Sequence, residues 1–81
     1  MNITQQPTYR TSDLSLAATL SVKGYKLVSL DRSHSPKVAF LFERDSDLDW
    51  NIQQYWADQL SVNPKSYFDA LKHLKSRIYA G

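Results

Sequence analysis

Four side chains on one predicted helix are the strongest candidates for chemistry in this sequence. Asn63 followed by Pro64 predicts a helix start, because Asn can cap free amide groups and Pro needs no amide partner at the first helical position. We expect this helix to run from Pro64 to about Tyr79. A helical wheel places a basic group opposite its apolar stripe: Lys65, Lys72, His73 and Arg77. Such a face suits a phosphate backbone and predicts nucleic-acid binding, although a solvated helix face has the same pattern.

No catalytic group and no metal site is predicted. The two histidines, His34 and His73, are far apart, and neither has a carboxylate cluster or a nucleophile at a suitable spacing. The acidic run in the middle of the chain lacks the glycine and the bidentate glutamate of a calcium loop. Its members are Glu43, Asp45, Asp47 and Asp49. Because helix capping and solvation explain this run, and no glycine-rich phosphate loop exists, we expect a protein without enzymatic activity or cofactor.

Trp50 is the candidate for a protein contact. It lies on the back of the second predicted helix, about 120° from the stripe that holds Trp56. An exposed tryptophan is typical of interface anchors, but this one could equally pack on the preceding loop or cover the end of a hairpin. The other aromatic side chains of the helices are expected in the core rather than in a base-stacking platform: Tyr55, Trp56, Tyr67 and Phe68.

The hydrophobic pattern predicts how these groups are positioned. Thr11 or Ser12 caps a first helix over residues 14–23, and Gly24 ends it. Alternating apolar residues predict strands over residues 25–31 and 37–43, joined as an antiparallel hairpin by a polar turn. Two strands alone are marginal in water, so helices must cover them, or a third strand comes from the residues around Tyr9 or from a second copy. The prediction is an α+β fold in the order α-β-β-α-α.

Two apolar helix faces predict the core. Ser46 is the expected N-cap of the second helix. The apolar face of that helix carries Leu48, Ile52, Tyr55, Trp56 and Leu60. The inner side of the third helix carries Tyr67, Phe68, Leu71, Leu74 and Ile78. We therefore expect Trp56 and Phe40 to be buried in one cluster. Lys75 falls within the inner stripe, so it extends past the core edge or, as we expect, meets a carboxylate of the second helix.

Composition limits the class of protein. The chain has 81 residues, 42% of them hydrophobic, and no cysteine, which excludes a disulfide-stapled miniprotein and a thiolate zinc site. We expect one small domain over residues 11–80 after a flexible leader, residues 1–10. No apolar run approaches the roughly 18 residues of a membrane span, and the leader has no signal-peptide stretch. The expected location is the cytoplasm, with no membrane partner.

Charge is distributed unevenly along the chain. Residues 1–42 hold five basic and two acidic groups, residues 43–60 hold one and five, and residues 61–81 hold four and one. The net charge of +2 is too small to attract polyanions to the molecule as a whole. The acidic middle and the basic tail either pair within the fold or present opposite faces to partners.

Four segments carry a family resemblance: residues 11–20, 24–27, 38–43 and 68–79. Together they make residues 10–80 similar to a family of short uncharacterised bacterial and phage domains of unknown function. The resemblance implies a cytoplasmic single-domain protein and brings no assigned activity, cofactor or catalytic residue.

The residues thus favour a non-enzymatic binding module. The leading hypothesis is association with nucleic acid or a nucleoprotein complex through the basic face of helix 64–79. The alternative is a protein-interaction or homodimerisation module that uses Trp50 and a hairpin edge. The two differ in whether the basic face continues in the fold onto Lys26, Arg32 and Lys37, since a continuous patch favours phosphate binding.

Overall fold

A computed structural model describes residues 8–80, which form three strands and three helices. In chain order these are β1 (Thr8–Thr11), α1 (Leu14–Val22), β2 (Leu27–His34), β3 (Lys37–Glu43), α2 (Leu48–Trp56) and α3 (Pro64–Ala80). The predicted α+β class is confirmed, as is the order α-β-β-α-α, now preceded by a strand. No helix in this part of the chain has both the length and the apolar character needed to cross a bilayer.

The sheet is antiparallel, with β3 in the centre and the strand order β1-β3-β2. The additional strand β1 comes from the residues around Tyr9, and Tyr9 lies opposite Phe42 in its register. Of the predicted leader, residues 1–7 lie outside the described residues, whereas Thr8, Tyr9 and Arg10 belong to β1.

The hairpin of β2 and β3 largely follows the hydrophobic pattern. The bounds of β3 are those predicted, Lys37–Glu43. β2 starts at Leu27 instead of Tyr25 and continues to His34, so the turn contains only Ser35 and Pro36. The polar residues expected in the turn extend the pairing instead, with His34 opposite Lys37 after an irregularity in the register.

Helix α1 is capped by a residue other than those predicted. The Asp13 side chain accepts hydrogen bonds from the amide groups of Ser15 (3.0 Å) and Leu16 (3.1 Å). Thr11, one of the expected caps, instead accepts a hydrogen bond from the Asp13 amide through its hydroxyl. At the other end Gly24 has a φ of +98°, the left-handed conformation expected from its position after the helix.

Helix α2 is shorter than predicted. Asp47, not Ser46, occupies the N-cap position, and no side chain caps the helix there. The helix ends at Trp56 because Asp58 adopts a left-handed conformation, with a φ of 60°. The amides of Asp58 and Gln59 bond to the carbonyls of Tyr55 and Gln54, the pattern of a Schellman C-cap. Residues 57–60 therefore leave the helix, contrary to the prediction.

Helix α3 begins as predicted. The Asn63 side chain accepts a hydrogen bond from the Ser66 amide at 3.0 Å, and Pro64 is the first helical residue. With this cap the helix extends through Ala80.

The core lies between the inner face of the sheet and the helices. It contains two phenylalanines of β3, four residues of α1 and one leucine from each of α2 and α3: Phe40, Phe42, Leu16, Ala17, Ala18, Leu20, Leu48 and Leu74. The prediction for Phe40 is confirmed. The prediction for Trp56 is wrong, because 62% of this side chain is exposed. Tyr55 takes the inward position instead, and its hydroxyl is hydrogen bonded to the hydroxyl of Ser15.

Candidate functional site

The basic residues of α3 are all exposed, but they lie on different sides of the helix. The helix turns Leu74 into the core and packs against α1, and the four predicted site residues are exposed. His73 and Arg77 lie on the flank that faces β2. Lys65 and Lys72 make other contacts, so the four do not form one cluster.

A groove of about 550 Å³ separates β2 from the C-terminal half of α3, and we call it the β2–α3 groove. Cationic, hydroxyl and apolar side chains line it, among them Arg32, His73, Arg77, Ser76, Val28 and Leu30. The groove is open to solvent, and Val28 is 47% exposed. It therefore combines an apolar strand surface with two guanidinium groups and one imidazole.

Arg32 joins the strand to the helix across this groove. Its Nη2 atom donates a hydrogen bond to the carbonyl oxygen of Arg77 at 3.0 Å. The contact places a positive charge at the carbonyl end of α3, where the helix dipole is negative. Because a guanidinium has five N–H donors, Arg32 keeps donors that can bind an anion. Arginine forms bidentate bonds to phosphate and carboxylate, and such ligands fit the charge of the groove.

The neighbouring carboxylate Asp31 does not line the groove. Successive strand residues point to opposite faces, and Asp31 pairs across the sheet with Arg10, 3.0 Å from Nη2 to Oδ2. Hydrogen bonds from the hydroxyl and the amide of Ser33, with that from Arg10, hold the pKa of Asp31 well below its usual range. Asp31 thus stays charged at neutral pH while its charge is directed to Arg10, on the face away from Arg32.

Lys65 and Lys72 lie outside the groove. The Lys65 Nζ atom is 3.3 Å from Asp69 Oδ2, an exposed pair one helical turn apart. The Lys72 Nζ atom lies 5.1 Å from the centre of the Phe68 ring. Of the three other basic residues that could extend the face of α3, Arg32 does so, while Lys26 and Lys37 do not line the groove.

Two residues predicted for the inner side of α3 are exposed instead. Phe68 is 58% exposed, and Lys75 is exposed without a carboxylate partner among residues 8–80. The predicted burial of Phe68 is wrong, and so is the expected carboxylate partner of Lys75, which extends past the core edge instead. The helix buries only the arc centred on Leu71, Leu74 and Ile78, and at 100° per residue Phe68 and Lys75 fall at its edge.

Both tryptophans of α2 are exposed, and they lie about 120° apart round the helix. Trp50 is 60% exposed, so most of its side chain is not packed on the preceding loop or on the hairpin end. The rings of Trp56 and Tyr55 are nearly perpendicular, with 4.9 Å between ring centres, and 62% of Trp56 is exposed.

The acidic middle of the chain does not pair with the basic tail within residues 8–80. Three ion pairs join described residues: Arg10–Asp31, Arg44–Asp49 and Lys65–Asp69. Arg44 thus offsets charge inside the acidic segment, and its guanidinium also lies 5.6 Å from the Tyr9 ring centre. No group of three possible metal ligands occurs within the described part.

The comparison with protein families identifies the chain. Residues 6–80 match the sequence model of a protein family that is described as a domain of unknown function (DUF5659). The chain belongs to this family. The match confirms the resemblance to a family of uncharacterised domains. Neither a search of curated proteins nor a search of solved structures found a match.

Sequence reasoning missed two members of the exposed surface of α3, Phe68 and Tyr79. Tyr79 is 83% exposed, and it follows Phe68 by eleven residues. Eleven residues make slightly more than three helical turns, so that spacing was the signal that both rings share a face.

Proposed function

We propose that this domain is a binding module that associates with nucleic acid, and that α3 and the β2–α3 groove contact the phosphate backbone. The observation that carries the proposal is the contact of Arg32 with Arg77, 45 residues apart in the chain. Through it the basic surface of the helix extends onto the sheet. A cationic surface built from two elements is wider than one helix face, and a nucleic-acid backbone presents phosphates over such a width.

The expected binding is weak, tolerant of sequence and sensitive to salt. Arg32 and Arg77 give about two phosphate contacts, and among residues 8–80 no set of side chains suited to reading base edges accompanies them. Two contacts imply a log–log salt slope of about −2 for duplex DNA and about −1.4 for single strands.

The test is a fluorescence anisotropy titration with duplex DNA, single-stranded DNA and RNA at low salt. Arg32→Glu and Arg77→Glu should abolish binding, because each places a carboxylate in the groove. Lys26→Glu is the matched control, since it makes the same charge change at an exposed position outside the groove. Thermal unfolding of each variant checks that the fold persists. A wild-type protein that binds none of the three nucleic acids at 50 mM salt would contradict the proposal.

A protein-interaction or homodimerisation module is the second candidate, supported by the exposure of Trp50. The outer edge of β2 is also not paired with another strand among residues 8–80. An exposed tryptophan and a free strand edge are both features of interfaces. Sedimentation velocity at micromolar concentration tests the homodimer. A species larger than 9.3 kDa that Trp50→Ala dissociates supports it, and a monomer alone contradicts it.

A further inference from the structure

A stripe of two aromatic and two basic side chains runs along an exposed flank of α3. Its members are Phe68, Lys72, Lys75 and Tyr79, at positions i, i+4, i+7 and i+11 of the helix. We call this set the aromatic–lysine stripe. At 1.5 Å per residue its two rings are about 16 Å apart along the helix axis.

The rings of the stripe are available to a ligand. Phe68 is 58% exposed and Tyr79 is 83% exposed, whereas the buried side of the helix is filled by Leu74 and its neighbours. Lys72 contacts Phe68 through its ammonium group, at 5.1 Å from the ring centre. The stripe contains no acidic residue. Asp69 lies about 100° round the helix from Phe68, and its carboxylate pairs with Lys65.

We propose that the aromatic–lysine stripe binds single-stranded nucleic acid, with bases stacked on Phe68 and Tyr79 and phosphates held by Lys72 and Lys75. This inference rests on the proposed function and specifies its ligand. Every base presents a flat ring for stacking, but in a duplex those faces are already covered by the neighbouring base pairs. Rings that project from a convex helix can therefore meet bases only in a strand whose bases are unstacked.

Charge and length both suit such a strand. The two lysines lie between the rings, where they can meet the phosphates that link bases stacked on the two rings. A distance of about 16 Å covers about five nucleotides at the stacked rise of 3.4 Å, and fewer in an extended strand. Single-strand sites in proteins combine the same two components, a cationic track and aromatic stacking surfaces.

The experiment compares anisotropy titrations of a labelled oligothymidylate and of a duplex of equal length. We expect the wild-type protein to bind the single strand more tightly. Phe68→Leu and Tyr79→Leu should each weaken single-strand binding about tenfold and leave duplex binding unchanged, since only the single strand uses the rings. Tyr79→Phe keeps the ring and should keep the affinity. Trp56→Leu is the control for loss of an exposed ring elsewhere, and it should have no effect.

The outcomes separate the inference from the proposed function. If the duplex binds as tightly as the single strand and both leucine variants bind like wild type, the inference is wrong and the proposed function stands. If neither nucleic acid binds, both are wrong. Binding of vesicles containing phosphatidylserine in place of any nucleic acid would also overturn both, and would assign the stripe to a membrane surface.

Discussion

The contrast between Phe40 and Trp56 provides a quantitative test of the packing. Phe40 is 1% exposed and belongs to the core cluster, and its neighbours across the sheet are Thr11 and Leu30. Removing a buried phenylalanine side chain costs about 3–5 kcal/mol, the sum of lost burial and the cavity left behind. A domain of this length has a total stability of about 4–12 kcal/mol. Phe40→Ala should therefore remove a large part of the free energy of unfolding.

Trp56→Ala should cost much less, although the side chain removed is larger. Because 62% of Trp56 is exposed, most of its surface gains nothing from folding. Its main contact is the edge-on pairing with Tyr55, and such aromatic pairs are worth about 0.5–1.5 kcal/mol. We expect a loss of about 1 kcal/mol.

Urea unfolding followed by circular dichroism measures both losses from the transition midpoint and slope. If Phe40→Ala is unfolded in water, Phe40→Leu keeps the comparison measurable, because it removes less volume. The reasoning is refuted if Trp56→Ala is destabilised as much as Phe40→Ala.

Two further predictions concern a helix cap and the sheet. Asp13→Ala should cost about 1 kcal/mol, because it removes a side chain that accepts hydrogen bonds from two helix amides. Asp47→Ala should change the unfolding midpoint little, because the Asp47 side chain makes no cap bond. Equal losses of stability in urea unfolding would contradict this assignment of the caps. The lowered pKa of Asp31 means that its charged form stabilises the fold, so this contribution is present above the usual Asp pKa and is lost as the pH falls through the folded-state value. Ser33→Ala and Arg10→Ala should each raise that pKa, because each variant loses a side-chain hydrogen bond to the carboxylate, and an NMR titration of the Asp31 carboxyl carbon that leaves the pKa unchanged in either variant would be the contrary result.

Where one local signal decides an element, the sequence predicts it well. The alternation of apolar residues placed β3 at its observed bounds, and Asn63 with Pro64 placed the start of α3. Gly24 ended α1 because glycine adopts a positive φ at no steric cost. Asp58 ends α2 in the same conformation. An aspartate is a much weaker sign of a helix end than a glycine, so the apolar residues up to Leu60 led to a prediction that was too long.

Burial of helix residues was predicted less well than the helices themselves. A helical wheel shows which residues share a side but not how wide an arc the neighbouring elements cover. Here the covered arc includes Tyr55 and Leu74 and leaves Trp56, Phe68 and Lys75 in solvent. The width of the contact depends on where α1 lies, and that is a property of the assembled fold.

The candidate site was likewise predicted only in part. The wheel identified the basic side of α3, and it could not show that Arg32 reaches Arg77, because that contact joins residues 45 positions apart. Nor could it separate His73 and Arg77, which line the β2–α3 groove, from Lys65, which pairs with Asp69. Such groupings follow from the packing of β2 beside α3.

A two-dimensional ¹H–¹⁵N NMR titration of the 81-residue chain with a short single-stranded oligonucleotide tests nucleic-acid binding through α3 most directly. We predict that the amide signals of Arg32 and of residues 72–79 shift with added oligonucleotide, and that the indole signals of Trp50 and Trp56 on α2 stay in place. No shift of any signal in a large excess of oligonucleotide, or shifts confined to the two indoles, would contradict the account.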